Sequence, residues 1–179
     1  KVAGTNAEIY DTRKTTPGWR RLEKYAVRCG GGKNHRTGLY DAILIKDNHL
    51  AFMNESQQGG SQYLVRTACE QARKFLRRHP DYSAEGMIVE VEVDDLEQLR
   101  AVLPANPDIV LLDNMPADAL RDAVQLRNDM AAGVTLEASG GIALANVARI
   151  AATGVDRISV GAITHAAAGL HDAGGVQIL

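Results

Sequence analysis

Residues that could take part in chemistry follow a series of short apolar segments in this sequence. They are Arg13, Lys14, His35, Arg36, Lys46, Glu92, Asp113, Ser139, Gly140 and Gly161. The cations suit a ligand with several negative groups, and arginine in particular matches planar carboxylates. The carboxylates suit ribose hydroxyls, a divalent metal or a positively charged, sugar-like transition state. Together these residue types predict a site for a polyanionic ligand.

Most of the surplus positive charge lies early in the chain. Residues 1–46 carry ten Lys and Arg against four Asp and Glu, whereas residues 47–179 carry ten against eighteen. A net charge of −2 and an aromatic content of 4 % argue against a nucleic-acid track, which needs a continuous basic stripe with aromatic residues. We therefore expect a local anionic ligand. A solvated helix face is the simpler explanation for four of the charges, Arg20, Arg21, Lys24 and Arg28.

Two glycine-containing segments late in the chain are candidates for a phosphate site. ASGGI (138–142) follows one apolar segment, and SVGAITH (159–165) repeats the arrangement one unit later. Small residues let backbone N–H groups approach an anion, and a helix predicted to start near Ala143 would direct its positive end there. Glycines also serve tight turns between strands and helices, so the residues alone leave both explanations open.

Lys46, Glu92 and Asp113 each have a structural and a chemical explanation. Lys46 follows AILI and either extends into solvent or supplies a Schiff-base amine. Alternation in VEVEV places Glu92 on the same face as Glu90, and a carboxylate inside a barrel needs a cation or hydroxyl partner. Asp113 either binds a ligand or caps the next helix. For Lys46 and Asp113, their positions at strand ends favour the chemical explanation.

The elements that must position these residues alternate between short β-branched runs and helical patterns. The runs are IYDT (9–12), AILIKDN (42–48), MIVEVEV (87–93), IVLLDN (109–114), TLEASGG (135–141) and RISVGAI (157–163). Helices are predicted after Thr16-Pro17, as N-cap and first position, and over 63–78, 96–103, 116–130 and 143–152. This alternation predicts a parallel α/β sheet covered on both faces.

Either a doubly wound sheet or a (β/α) barrel fits this alternation. The absence of GxGxxG after the first run, and the presence of chemical groups at nearly every strand end, favour the barrel, where all the strand ends meet on one face. The position of His35 is difficult to reconcile with this barrel. It precedes Lys46 by eleven positions, so a strand that ends at Lys46 would leave His35 near the opposite rim. Both reach one face if Cys29 to Asn34 is an irregular strand and Thr37 to Asp41 a very short return. The result is an incomplete barrel of about seven strands.

Seven motifs, in this order, resemble the barrel domain of quinolinate phosphoribosyltransferases, also called carboxylating nicotinate-nucleotide pyrophosphorylases. They are DTRKTTPG, GGGKNHRTGLYD, LIKDNH, VEVEVD, LLDNM, LEASGGI and SVGAITH, and the similarity covers about residues 2 to 166. The resemblance implies a TIM-like catalytic barrel over residues 1–170 that lacks the family's N-terminal α/β sandwich domain. Residues 171–179 would be a tail that packs on that domain.

The resemblance also implies an activity and the residues that perform it. The family makes nicotinate mononucleotide, pyrophosphate and carbon dioxide from quinolinate and phosphoribosyl pyrophosphate, with magnesium, in NAD biosynthesis. The residues implied to hold the two carboxylates of quinolinate are Arg13, His35, Arg36 and Lys46. Those implied to bind the phosphate groups are Lys14, Ser139, Gly140, Gly161 and His165. Glu92 and Asp113 are implied to bind ribose hydroxyls and magnesium, and with Lys46 they are the implied catalytic residues.

Further expectations concern assembly and location. The resemblance implies a homodimer, or a hexamer built from dimers, in which the sandwich domain supplies an arginine to the neighbouring subunit's site. Two lone cysteines, Cys29 and Cys69, fit a reducing compartment, and no apolar run reaches spanning length. We expect a cytoplasmic protein that binds neither membrane nor nucleic acid.

The sequence also departs from the family pattern. Ala166 stands where the family usually has a serine, and residues 51–86 form an insert of unknown role that is longer than usual. Three other functions fit parts of this pattern: a phosphate-binding barrel without catalysis, a lysine-dependent aldolase and a molybdate-associated relative of the family. The intact GGGKNHR and IKDNH motifs argue against the last of these.

Overall fold

Strands and helices alternate along the residues that this computed structural model describes, namely 2, 4–54, 60–84 and 86–165. The strands are β1 (Glu8–Tyr10), β2 (Ala42–Ile45), β3 (Ile88–Val93), β4 (Ile109–Asp113), β5 (Thr135–Ser139) and β6 (Arg157–Ser159). The helices are α1 (Arg20–Cys29), α2 (Asp47–Asn54), α3 (Ser61–Arg78), α4 (Pro80–Ala84), α5 (Leu96–Val102), α6 (Ala117–Ala131), α7 (Val147–Ala151) and α8 (Ala162–His165). Within these ranges, no helix combines the length and the apolar character needed to cross a bilayer.

The six strands form one parallel sheet in the order β1-β6-β5-β4-β3-β2. From β2 to β6, each strand lies beside the next one along the chain, and β1 completes the row beside β6. A doubly wound sheet would reverse this order at a switch point. The arrangement is therefore that of a (β/α) barrel. The sheet stays open between β1 and β2, so the predicted incomplete barrel is confirmed.

The predicted seventh strand is wrong as a strand. Cys29 ends α1, and of the predicted strand residues 29–34 only Lys33 pairs with β1, through a parallel bridge to Tyr10. The bridge has two backbone hydrogen bonds, of 2.8 and 3.0 Å. Gly31 has a φ of +83°, a left-handed conformation that strands do not use. The glycine run therefore limits pairing to one residue where the sequence predicted six.

The short link at residues 37–41 explains why the barrel is open. Neighbouring parallel strands need a crossover of about a dozen residues or more, which this link cannot provide. Among the described residues, the Lys33 bridge and β2 are accordingly not paired with each other. The side chain of Asp41 stabilises the link by accepting the N–H groups of Thr37 and Gly38, at 2.5 and 3.0 Å. The opening thus lies between the two segments that the link joins.

Alternation along the strands separates an apolar outer face from a polar inner face. The outward side chains of the central strands are buried against the helices, and they include Val89, Val91, Val93, Val110, Leu112, Leu136 and Ile158. Each such side chain contributes about 1.5–3 kcal/mol on burial. The inward side chains of the same strands include Glu90, Glu92, Glu137 and Ser159. Polar groups therefore fill the interior that most such barrels pack with branched apolar residues.

Helix α1 begins later than predicted. Thr16 is not its N-cap, because Gly18 has a φ of +81° and interrupts the helical path, so the helix begins at Arg20. The buried residues of α1 are Lys24 and Val27. Its large apolar side chains face outward instead, with exposures of 58 % for Trp19, 61 % for Leu22 and 58 % for Tyr25.

Two other predicted boundaries are wrong by several residues. The strand predicted over 42–48 ends at Ile45, and Asp47 already begins α2. The helix predicted from Ala143 starts only at Val147, because the side chain of Asn146 accepts the Ala143 N–H at 2.8 Å and forms a turn there. The region 51–86 contains the end of α2, α3 and α4, and its residues 55–59 and 85 lie outside the described ranges. The predicted tail, 171–179, and Ala166 also lie outside them.

Candidate active site

A cavity of about 400 Å³ opens at the carboxyl ends of the strands. Its lining residues are Thr12, Arg13, Lys14, His35, Arg36, Leu44, Lys46, Glu92, Leu111, Asp113, Ser139 and Ser159. Eight of the predicted site residues are among them, and an adjoining pocket is lined by Gly140 and Gly161. The cavity mouth therefore brings the early cations and the later carboxylates together, as the sequence predicted. The side chain of His165 lies outside what the structure describes.

Lys46 and Glu92 form an ion pair across the mouth. Lys46 directly follows β2, Glu92 lies near the end of the neighbouring strand β3, and the Lys46 Nζ donates to Glu92 Oε2. The predicted cation partner of an inward carboxylate is thus found. An ammonium in such a pair offers charge to a ligand and not a free lone pair, which favours an ionic role over a Schiff base.

Asp113 does not cap the following helix. Pro116 is the N-cap residue of α6, and no side chain caps that helix. Asp113 instead ends β4 opposite Ser139, and its Oδ2 accepts a hydrogen bond of 2.7 Å from the Asn114 side chain. The helix-cap explanation is therefore wrong, and the carboxylate lies at the cavity.

The guanidinium groups of Arg13 and Arg36 share one side of the cavity, and within the described residues neither forms an ion pair. The Nε of Arg13 is buried and has no hydrogen-bond partner among the described residues. Burial and the like charge of Arg13 lower the pKa of Arg36. The Arg36 Nη1 donates weakly to the Ala42 carbonyl at 3.5 Å. Buried positive charge that lacks a partner is costly, so this part of the cavity suits a ligand with carboxylates.

A buried ion pair holds the loop that carries His35 and Arg36. Asp11 is fully buried, and its carboxylate accepts hydrogen bonds from Lys24 Nζ at 2.6 Å, Asn34 Nδ2 at 2.7 Å and the His35 N–H at 2.7 Å. Lys24 also donates to the His35 carbonyl at 2.9 Å. The expectation of a solvated Lys24 is therefore wrong. This residue connects α1 to the end of β1 and to the site loop.

Ser159 lines the cavity, and Glu90 and Glu137 are buried beneath it against His35; none of the three was predicted as a site residue. The His35 Nε2 lies 3.1 Å from Glu90 Oε1 and 3.4 Å from Glu137 Oε1. The Ser159 hydroxyl donates to Glu137. Alternation in TLEAS, which puts Glu137 on the face of Ser139, was the signal that could have found it.

The charge state of His35 depends on these carboxylates. Burial lowers the pKa of His35, but the hydrogen bonds that its ring donates to Glu137 and Glu90, together with their negative charges, raise it more, to about 9. Because this value exceeds the ordinary 6.5, protonated His35 stabilises the fold fully below pH 6.5. That contribution is lost as the pH rises through about 9.

The second pocket carries the candidate phosphate cradle. Gly140 and Gly141 have φ values of +87° and +59°, and they lie with Gly161 beside Lys14 and Ser139. Helix α8 begins directly after Gly161, whereas α7 begins six residues after Gly141. The predicted helix end that points at Gly140 is therefore absent from the described residues. Backbone groups of the two loops remain as the candidate anion ligands.

Gly140→Ala is expected to destabilise the fold by about 1–3 kcal/mol, because a left-handed backbone strains any residue with a Cβ. A Cβ at Gly140 would also lie 2.1 Å from Asn114 Oδ1. Gly133→Ala is the matched control, since a Cβ there meets nothing within 4 Å. Urea denaturation of both variants checks this. Equal midpoints for the two variants would contradict the close packing at Gly140.

The residues that could hold a metal fall into two groups. Among the described residues, the ligand atoms of His35, Glu90 and Glu137 lie within 4.8 Å of one another. The predicted magnesium ligands, Glu92 and Asp113, are not in that group but line the cavity mouth. Magnesium usually keeps several waters and takes one or two carboxylates plus phosphate oxygens, so this pair fits it when a phosphorylated ligand is present.

Comparisons with known proteins find relatives along most of the chain. Residues 1–171 match the family model for the quinolinate phosphoribosyl transferase C-terminal domain. The chain is 48 % identical over 164 residues to the carboxylating nicotinate-nucleotide pyrophosphorylase of Mycobacterium leprae, covering 92 % of this chain and 52 % of that protein. It is 35 % identical over 168 residues to the Homo sapiens protein of the same name, covering 94 % and 51 %.

Solved structures give the same result. The nicotinate-nucleotide pyrophosphorylase of Ehrlichia chaffeensis superposes with a TM-score of 0.77 at 39 % identity, over 92 % of this chain and 53 % of that one. The structure from Francisella tularensis gives 0.73 at 41 % identity, over 92 % and 51 %. The chain thus spans about half the length of the relatives it matches.

Proposed function

The chain belongs to the quinolinate phosphoribosyltransferase family, and we propose that it is the catalytic barrel for phosphoribosyl transfer to quinolinate with decarboxylation, in NAD biosynthesis. The substrates are quinolinate and phosphoribosyl pyrophosphate, and the products are nicotinate mononucleotide, pyrophosphate and carbon dioxide. One observation carries the proposal: two guanidinium groups that form no ion pair among the described residues share one cavity of about 400 Å³ with two carboxylates.

Arg13, Arg36, His35 and Lys46 bind the two carboxylates of quinolinate. The first two supply planar donor groups, and the buried, unpartnered Nε of Arg13 supports this role. A carboxylate of quinolinate then competes with Glu92 for Lys46, since both anions need the same ammonium. Substrate binding thereby frees Glu92 for the sugar. These groups hold the pyridine nitrogen against the ribose in reacting geometry.

Glu92 and Asp113 act on the ribose. As pyrophosphate leaves, positive charge develops on the sugar ring, and carboxylates already in place stabilise that charge. The same two residues would hold magnesium, which, when bound, neutralises charge on the pyrophosphate. Lys14 reaches the pyrophosphate, and the loops at Ser139, Gly140 and Gly161 receive the 5′-phosphate, with His165 near the phosphates.

Decarboxylation needs no covalent enzyme nucleophile. Attack by the pyridine nitrogen forms a pyridinium, and the bond from C2 to its carboxylate then breaks. The electron pair stays on C2, where the adjacent positive nitrogen stabilises it, and C2 takes up a proton. The Lys46–Glu92 ion pair supports this scheme over a lysine-dependent aldolase.

We propose that the working assembly is a homodimer, or a hexamer built from dimers, in the cytoplasm. The outward apolar face of α1, formed by Trp19, Leu22 and Tyr25, supports association, because such patches are typical of interaction surfaces. A neighbouring subunit that contributes an arginine would add a further cation to the cavity.

The proposal is tested by incubating the protein with quinolinate, phosphoribosyl pyrophosphate and magnesium chloride. Formation of nicotinate mononucleotide, with release of labelled carbon dioxide from the C2 carboxylate, is expected. Calorimetry with phosphoribosyl pyrophosphate alone, and then with quinolinate added, separates binding from turnover. Binding without turnover would favour a phosphate-binding barrel without catalysis. Binding of neither substrate would refute both functions.

A further inference from the structure

A charged cluster lies beneath the cavity, and its two glutamates have no role in the chemistry proposed above. Glu90 on β3 and Glu137 on β5 have no exposed surface, and each places an Oε1 atom beside the His35 Nε2. Ser159 on β6 donates its hydroxyl to the Oε1 of Glu137. Two strands of the barrel thus direct carboxylates at one imidazole ring that lines the cavity, and a third strand binds one of these carboxylates.

The cluster requires positive charge between its carboxylates. The Oε2 atoms of Glu90 and Glu137 are buried and accept no hydrogen bond within the described residues. The nearest further cation is Arg157, whose Nη1 lies 4.0 Å from Glu137 Oε2. Buried carboxylates are costly unless a partner compensates them. His35 is the basic side chain that lies between the two glutamates.

A proton fits this position better than a metal ion. The three ligand atoms are close enough for a metal. However, the Arg36 N–H donates to the His35 Nδ1 at 2.8 Å, so the first ring proton must be on Nε2. A metal would have to bind at that same Nε2 and would displace this proton. Nε2–H instead donates to the glutamates.

We propose that Glu90 and Glu137 are positioning residues, which hold the His35 ring and its positive charge beneath the part of the cavity that receives the pyridine dicarboxylate. The identity of that ligand rests on the proposed function, whereas the charge state of His35 does not. Without the two carboxylates, burial would favour the neutral ring. The cavity would then have one positive charge fewer with which to bind a dianionic ligand.

Other charged groups around His35 also affect the protonation of its ring. Asp11 and Lys24 bind the backbone N–H and carbonyl of His35, and as an ion pair they largely cancel each other. Arg36 and Arg13 repel positive charge on the ring. Protonation of both ring nitrogens also requires that the hydrogen bond from the Arg36 N–H to the His35 Nδ1 be broken. The glutamates therefore have to outweigh these opposing contributions.

The test is a pH titration of the five histidines by NMR, with the signal of His35 assigned by its loss in His35→Gln. In the unaltered 179-residue chain we expect His35 to titrate near pH 9. In Glu137→Gln and in Glu90→Gln we expect its pKa to fall by about 1 to 3 pH units. Glutamine keeps the shape and can still accept from Ser159 and His35. Glu70→Gln, on the exposed surface of α3, is the matched control and should change nothing.

A second test measures the affinity for quinolinate. Calorimetry with quinolinate should show affinity that is constant between pH 6 and 8 in the unaltered chain, but that falls as the pH rises in Glu137→Gln. Titration of His35 at or below pH 6.5 in the unaltered chain would overturn the inference, and that result needs no folded variant. Stoichiometric zinc binding that displaces the His35 proton would also overturn it. Failure to bind quinolinate with His35 still titrating near pH 9 would refute the proposed function alone.

Discussion

Lys46→Ala is expected to lower the rate of nicotinate mononucleotide formation by about 10²–10³-fold, as removal of one preorganised charged group does in other enzymes. The side chain is 39 % exposed and its only described partner is Glu92, so its removal costs no core packing. Arg36→Ala should have an effect of similar size, because it removes a guanidinium from the same cavity. Steady-state kinetics on the natural protein that carries this sequence, with circular dichroism to check the fold, measures both effects.

Controls separate this role from a general effect of charge. Lys74→Ala removes an exposed lysine on α3 and should leave the kinetics unchanged. Combining Lys46→Ala with Glu92→Gln should cost less than the sum of the single changes, because residues in one ion pair are coupled. Near-normal turnover in either Lys46→Ala or Arg36→Ala would refute the assignment of these cations.

Asp11→Ala is expected to destabilise the fold by about 3–5 kcal/mol, because it leaves a buried cation without its partner. Lys24 is 5 % exposed and Asp11 is fully buried, so solvent cannot replace the lost carboxylate. The change also removes the acceptor for Asn34 and for the His35 N–H. Urea denaturation followed by circular dichroism gives the difference in the free energy of unfolding.

A surface ion pair provides the matched control. Asp118 pairs with Arg121 on α6 but is 92 % exposed, so Asp118→Ala should leave the denaturation midpoint unchanged. Replacing both members of the buried pair, as Asp11→Leu with Lys24→Met, should recover part of the loss, since no charge is then left unpaired. Equal losses for Asp11→Ala and Asp118→Ala would contradict the role of the buried pair.

Several features of the site followed directly from the order of residues. The side-chain period of a strand is two, so VEVEV had to place Glu90 and Glu92 on one face. Parallel strands direct their carboxyl ends to one side, so Lys46, Asp113 and Ser139 had to share a rim. These inferences needed only local periodicity and the chain direction. They gave the barrel and six of the cavity-lining residues, whereas His35 and Arg36 were placed there through a strand that the structure does not form.

Other predictions were wrong because local patterns compete with each other. Thr16-Pro17 is a favourable helix start, but Gly18 takes a left-handed conformation that delays α1 to Arg20. Asn146 likewise uses its side chain to form a turn where a longer helix was predicted. Propensities rank such alternatives weakly, and packing decides between them.

The sequence by itself determined the strand pattern, the direction of the sheet and the set of charged groups at its carboxyl ends, because each depends on neighbours a few residues apart. Only the tertiary structure decided which charges are neutralised. His35 meets Glu90 across 55 positions, and Lys24 meets Asp11 inside the protein and not in water. The energy of a charge depends on its burial and on its partner, and both arise only when distant segments pack together.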